Sequence, residues 1–238
     1  MVPDSQSQNV NQKSKMAEVI IVEGPSGTGK STSLRNVDPT ARKAVLLVPN
    51  AKPLPFKGGD AKWGKKKIHI EDMNRISSLI DEMVSKGAKT IFIEDFSHFF
   101  NARILSDDFM AKASGGAAFE RWKVFARDVM RALFLKAPKL PEDVKIVVFH
   151  HVDTGNDDFS KFKIFGKLLG DSLDPVSYVR VVLHSTVLPE KKGSERFVFQ
   201  TQLDELREAK SPMGMFEEMY IPNDIELVLQ AIESYDKE

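Results

Sequence analysis

Eight residues, Gly24-Pro25-Ser26-Gly27-Thr28-Gly29-Lys30-Ser31, constrain this chain more than any other stretch. They complete the pattern G-x-x-x-x-G-K-[ST], and the short apolar run Ala17 to Val22 leads directly into them. A strand that ends in such a turn and continues into a helix-compatible segment can curl its backbone N–H groups around a polyphosphate, with the positive helix end behind them. In that arrangement Lys30 reaches the β- and γ-phosphates, Ser31 ligates Mg²⁺, and Thr32 follows closely enough to contact the α-phosphate. The chain must then be α/β, because this loop needs a sheet to carry it.

The remaining pattern agrees. Ala44 to Val48, Lys67 to Ile70, Thr90 to Ile93 and Val144 to Phe149 read as buried strands. Between them, Asp72 caps a helix with Met73, Ile76, Leu79, Ile80, Met83 and Val84 on one face, closed by Gly87. A looser stretch containing Gly115 and Gly116 precedes a second helix, Phe119 to Leu133, and Pro138 and Pro141 then break the chain. Tyr178 to Ser185 and Arg196 to Thr201 read as a hairpin around PEKKGS, and Asn223 with Glu226 as a capping box for a last helix, Asp224 to Tyr235. Strands separated by helices predict a mostly parallel, doubly wound sheet with a C-terminal antiparallel hairpin. Met1 to Lys15 has no apolar periodicity, so a disordered tail is expected over 1–16 and one domain over 17–238.

Composition narrows the chemistry. The absence of cysteine excludes disulfides, thiol catalysis and cysteine-ligated zinc. Thirty-four basic and thirty-four acidic residues give zero formal charge, so any affinity for nucleic acid must come from a local patch. No apolar run approaches the roughly 20 residues of a membrane span. The N-terminus is too polar for a secretory signal, so a cytoplasmic location without membrane contact is expected.

A phosphate loop needs an acid on a neighbouring strand to hold Mg²⁺, and Thr90-Ile91-Phe92-Ile93-Glu94-Asp95 supplies two where a buried strand surfaces. Adjacent residues leave a strand on opposite sides, so one acid can serve the metal and the other a water; the spacing leaves open which does which. His150 and His151 end the next strand, where a polar side chain can contact the γ-phosphate or its attacking water, and His150 is the candidate. The other histidines, His69, His98 and His184, share no metal-ligand spacing, and one imidazole beside the acidic pair does not make a transition-metal site. Lys62-Trp63-Gly64-Lys65-Lys66-Lys67 combines cations with an aromatic ring. That mix suits a phosphate-tracking surface with a base-stacking platform, or an ordinary solvated loop.

The segments GPSGTGKSTSLRN, KPLPFKGG (Lys52 to Gly59), IEDF, FGKLLGD (Phe165 to Asp171), TQLDELREAKSPMGMF (Thr201 to Phe216) and IPNDIELVLQAI (Ile221 to Ile232) occur in this order. Together they resemble a family of bacteriophage ATP-binding proteins of RecA-like fold, grouped with the Sak-type single-strand annealing ATPases. The resemblance runs from about Ile20 onward. It implies a RecA-like P-loop ATPase using ATP and Mg²⁺, single-stranded DNA as partner, and homo-oligomers in rings or filaments. A single-strand DNA-binding protein is a further candidate partner, and the host bacterial cytoplasm the location if the chain is phage-encoded. Glu94 stands where the family more often carries aspartate. The segment after the second strand, VPNAKPLPF, lacks the glutamate that RecA-like ATPases often use to activate water. Ala209-Lys210-Ser211-Pro212-Met213-Gly214 resembles the A-K-x-R-x-G stretch that sends a basic residue into a neighbour's site, with Pro212 at the arginine position and Lys210 left to act alone. Two other classes share the phosphate loop. A nucleotide or small-molecule kinase would carry an arginine-rich lid, but the candidate lid, Asn156 to Lys167, has lysines and no arginine. A nucleotide-gated DNA-binding module would need ATP and hardly turn it over.

Overall fold

Continuous apolar runs form strands covered on both faces, and here they build the centre of one sheet. The structure is a computed structural model that describes residues 16–111, 115–154, 158–164 and 173–237. In chain order the strands are β1 (Glu18–Glu23), β2 (Ala44–Val48), β3 (Lys67–His69), β4 (Thr90–Ile93), β5 (Lys145–His150), β6 (Val152–Thr154), β7 (Ser160–Phe162), β8 (Val181–Val187), β9 (Phe197–Gln200) and β10 (Tyr220–Pro222). The helices are α1 (Gly59–Trp63), α2 (Asn74–Ser85), α3 (Phe96–Ile104), α4 (Asp107–Ala111), α5 (Gly116–Ala132) and α6 (Ile225–Tyr235).

The eight-stranded sheet runs β10-β9-β8-β1-β5-β4-β2-β3, with β6 and β7 forming a separate two-stranded ribbon. From β8 to β3 every pairing is parallel; β8 with β9 and β9 with β10 are antiparallel. The expected hairpin is therefore present and carries a third strand. On one face Ile21, Ile91, Ile146 and Val148 pack with Ile76 of α2, Phe96 and Phe100 of α3, and Phe125 and Val129 of α5. On the other, Ile20, Val22, Leu46, Val147 and Phe149 pack with Leu34, Trp63 and the apolar stripe Ile225, Val228, Leu229 and Ile232 of α6. The sheet is doubly wound, and the carboxyl ends of β1, β5 and β4 meet along one edge.

Local departures have local causes. The stretch after Asp95, loose in sequence, forms α3 and α4 because Phe96, Phe99, Phe100 and Phe109 are drawn into the core. The capping box assigned to Asn223 shifts by one residue: Asp224 is the N-cap, and its carboxylate accepts from the Glu226 N–H at 3.1 Å. The segment after the phosphate loop is a 3₁₀ turn, Ser31–Asn36, ended by extended Val37 ahead of Asp38-Pro39. Trp63 is 1% exposed and meets Phe92 edge-on at 5.6 Å between ring centres, so it is a core residue and offers no platform for a base. Residues 1–15 of the expected tail, the FGKLLGD motif, and residues 156–157 and 165–167 of the candidate lid lie outside the described residues. None of the described helices is long and apolar enough to cross a membrane.

Removing the Trp63 ring would leave a cavity against Phe92. Trp63→Ala should lower the unfolding free energy by about 3–5 kcal/mol, with Trp63→Phe costing much less. Denaturant unfolding measures both; an Ala variant as stable as the wild type would place the ring outside the core.

Candidate functional site

The phosphate loop leaves β1 at Gly24, whose φ of 151° and close approach to the Ser185 carbonyl leave no room for a Cβ. Gly29, at φ 94°, lies where a Cβ would come within 3.1 Å of the Asn223 side chain. Between them the loop is laced to itself. Thr28 Oγ1 donates to the Pro25 carbonyl at 2.9 Å, and Ser185 Oγ donates to the Thr28 carbonyl at 2.8 Å. Lys30 folds back so that Nζ donates to the carbonyls of Gly24 at 2.7 Å and Pro25 at 2.8 Å. Burial pulls the Lys30 ammonium down to about 8, against the opposing charges of Glu94, Asp95 and Glu23.

Ser31 Oγ donates to Glu94 Oε1, joining the loop to the end of β4. Glu94 Oε2 is buried with no hydrogen-bond partner. Burial pushes the Glu94 carboxyl up to about 7; the Asp95 charge adds to the rise, while the Ser31 hydrogen bond and the Lys30 charge oppose it. Asp95 turns the other way. Its backbone adopts φ 56°, a left-handed conformation that aspartate tolerates better than most residues. Its two carboxylate oxygens meet His151 Nε2 at 2.9 Å and His98 Nε2 at 3.1 Å. Burial pushes the Asp95 carboxyl up, but the His151 hydrogen bond and the charges of His98, His151 and Lys30 outweigh it and hold it below the ordinary value.

These groups line a cleft of about 530 Å³. Ser26, Gly27, Gly29, Lys30, Ser31 and Thr32 form its floor, Glu94, Asp95 and His151 one side, and Gly193, Ser194, Phe197 and Asn223 another. The segment Val48 to Pro55 closes the rim with Asn50 and Lys52, and brings no carboxylate. Gly24, Pro25 and Thr28 brace the loop from beneath rather than face the cleft.

His150 and Lys210 lie apart from this cleft. His150 shares the face of Ile146 and Val148 and is fully buried. Its ring stacks on Phe162 at 3.7 Å and lies within hydrogen-bond distance of Ser97 and the Lys163 carbonyl. His151, one residue on, faces the cleft, as strand alternation requires. Lys210 pairs through its backbone with Val182, each N–H donating to the other's carbonyl. Of the basic run, Lys62 bonds the Arg35 carbonyl, Lys66 the Thr40 hydroxyl and Lys67 Asp60, while Lys65 is exposed. Sequence reasoning missed Asn223, whose place in an apparent capping box concealed that it faces the loop. It also missed Glu23, fully buried at the end of β1. Burial first, and the Glu208 charge next, push the Glu23 carboxyl well above its ordinary value.

His150 supplies a pH test. Burial pushes its imidazole down to about 3, from an ordinary value near 6.5. The unfolded chain therefore binds a proton that the folded chain refuses, and stability falls as pH drops below about 6.5. Wild type should lose up to about 1.4 kcal/mol per pH unit from this residue below that point, and His150→Gln should show a shallower slope. Urea unfolding between neutral and mildly acidic pH checks it; identical slopes would mean that His150 already carries its proton in the fold.

Scans of protein-family models and of curated proteins give no match to this chain. Among solved structures, the chain is similar to a prototypical ATPase from the type III secretion system of pathogenic bacteria. The similarity has a TM-score of 0.46 and 13% identity, over 74% of this chain and 52% of that one. This chain thus spans about half the length of that ATPase.

Proposed function

We propose that this chain binds ATP with Mg²⁺ and hydrolyses it in the cleft between the phosphate loop and the ends of β4 and β5. The observation that carries the reading is the contact of Ser31 with Glu94, which brings the loop hydroxyl and a strand-end carboxylate together at the cleft floor. The residues fit the ion: a hydroxyl and a buried carboxylate with one unpartnered oxygen form an oxygen-rich corner beside the phosphate cradle. Ser31 and Glu94 would hold Mg²⁺ there, where a divalent charge offsets the triphosphate's. Lys30 would exchange the Gly24 and Pro25 carbonyls for terminal phosphate oxygens. Asp95, kept ionised by His151, is the acceptor that can orient an attacking water. Phe197 and Arg35, at the far side of the loop, border the space left for the base and sugar.

The choice of ATP, and DNA-dependent turnover by a strand-annealing oligomer, extend this reading through the family resemblance. Lys62, Lys65 and Lys66 would supply the local positive charge that a neutral chain needs for a nucleic acid, without help from Trp63 and with Lys67 already paired to Asp60. A nucleotide-gated module with slow turnover is the second reading, and the lack of any acid in the Val48 to Pro55 segment, after the second strand, favours it.

Lys30→Ala should weaken ATP binding by at least about tenfold, since it removes the charge that faces the terminal phosphates. Glu94→Gln should bind ATP within a few-fold of wild type yet lose about 100-fold in Mg²⁺-dependent turnover. Calorimetry and phosphate release measure the two effects. Unchanged affinity in Lys30→Ala, or normal turnover in both Glu94→Gln and Asp95→Asn, would remove the assignment. Turnover measured with and without single-stranded DNA separates the two readings, because a gated module shows no stimulation.

DNA binding should favour single strands and weaken steeply with salt, and replacing Lys65, Lys66 and Lys67 together by Ala should weaken it further. Fluorescence anisotropy reads this. Absent or salt-independent binding by the wild type would overturn the DNA part alone.

A further inference from the structure

Asp95, His98 and His151 converge from three places: the turn after β4, the first turn of α3, and the residue that follows β5. One ligand atom from each lies within 4.8 Å of the other two. Both imidazoles present Nε2 to Asp95, one to each carboxylate oxygen, at 2.9 Å and 3.1 Å. The backbone holds all three in place. The His98 N–H donates to the Asp95 carbonyl at 2.8 Å, the His151 N–H to Ser97 Oγ at 2.9 Å, and the Lys163 N–H to the His151 carbonyl at 3.1 Å. An isolated pair between Asp95 and the half-exposed His98 would gain little in water, so ion pairing alone gives no reason to gather two imidazoles on one left-handed aspartate.

Two imidazoles and a carboxylate are donors suited to a divalent transition ion, and such a set leaves coordination positions open. The hard oxygen corner at Ser31 and Glu94 suits Mg²⁺ instead. We propose that Asp95, His98 and His151 bind a divalent transition-metal ion of the zinc class, distinct from the Mg²⁺ position. Asp95 and His151 line the cleft, so the open positions face it, and a terminal phosphate oxygen of the nucleotide completes the coordination. That last clause rests on the ATP reading; the metal site does not.

Co²⁺ is the probe, used with the full chain and without nucleotide. Wild type should take up one equivalent, with visible absorption that Zn²⁺ abolishes and excess Mg²⁺ does not. His98→Ala, at an accessible position, and Asp95→Asn should each weaken uptake by at least about tenfold, while His69→Ala should leave it unchanged. Circular dichroism and thermal unfolding establish that the variants are folded. No saturable uptake by the wild type, or unchanged uptake in folded His98→Ala, overturns the site. Adding ATP should then shift the Co²⁺ spectrum of the wild type; ATP binding without a shift overturns the phosphate clause. Lys30→Ala should keep Co²⁺ uptake. Failure of the wild type to bind ATP while uptake persists would overturn the nucleotide reading and leave the metal site standing.

Discussion

Burying the Lys30 ammonium is a demanding electrostatic requirement at the heart of the site, and the neighbourhood is arranged to meet it. A cation out of water needs hydrogen-bond acceptors and opposite charge close by. The carbonyls of Gly24 and Pro25 supply the first, which is possible only where glycine conformations turn the loop back on itself. Glu94 and Asp95 supply the second, which requires β4 to end level with β1. Parallel pairing through β5 delivers that alignment: Val22 lies opposite Phe149, Ile21 opposite Val148, and Val148 opposite Ile93.

The same register has a second result behind the loop. Glu23 lies opposite His150 on one side and His184 on the other, and His184 lies opposite Gln200. Four buried polar side chains thus form a row across four adjacent strands on one face of the sheet. His184 Nδ1 stands 3.4 Å from Glu23 Oε1, and neither atom has a hydrogen-bond partner. Burial pushes Glu23 toward its protonated form. Burial, followed by the Arg207 charge, pulls His184 down to about 4, and burial pulls His150 to about 3. A row that resists charge leaves the cleft side, Glu94 and Asp95, to balance Lys30.

What the sequence made legible was whatever contiguous spacing fixes. The phosphate loop, its strand and the acids at the end of β4 follow from local pattern, because each depends on residues a few positions apart. His151 was within reach of the same reasoning, since His150 shares the parity of Ile146 and Val148 and is buried with them. Trp63 was not: its neighbours are charged, and the ring it packs against belongs to β4, placed beside it by the topology. The same applies to Asp95 and His151, which meet because β4 and β5 are neighbours in the sheet. Asn223 shows a local rule misleading by one position, since Asp224 caps the helix and frees the preceding side chain for the loop.

That one-residue shift ties the phosphate loop to the far end of the chain. The 3₁₀ turn after Ser31 is too short to cover its face of the sheet alone, and the apolar stripe of α6 packs beside Leu34 to complete the layer. Polar links hold the two together. Arg35 donates to the Asn223 carbonyl at 2.5 Å, Asn36 to Asp224 at 2.5 Å, and Arg42 pairs with both Glu226 and Glu233 of α6. Asn223 therefore has its backbone fixed from one side by Arg35 while its side chain fills the space beside Gly29. A side chain at position 29 would press on the tip of the Asn223 side chain, and the φ of 94° disfavours one there in any case.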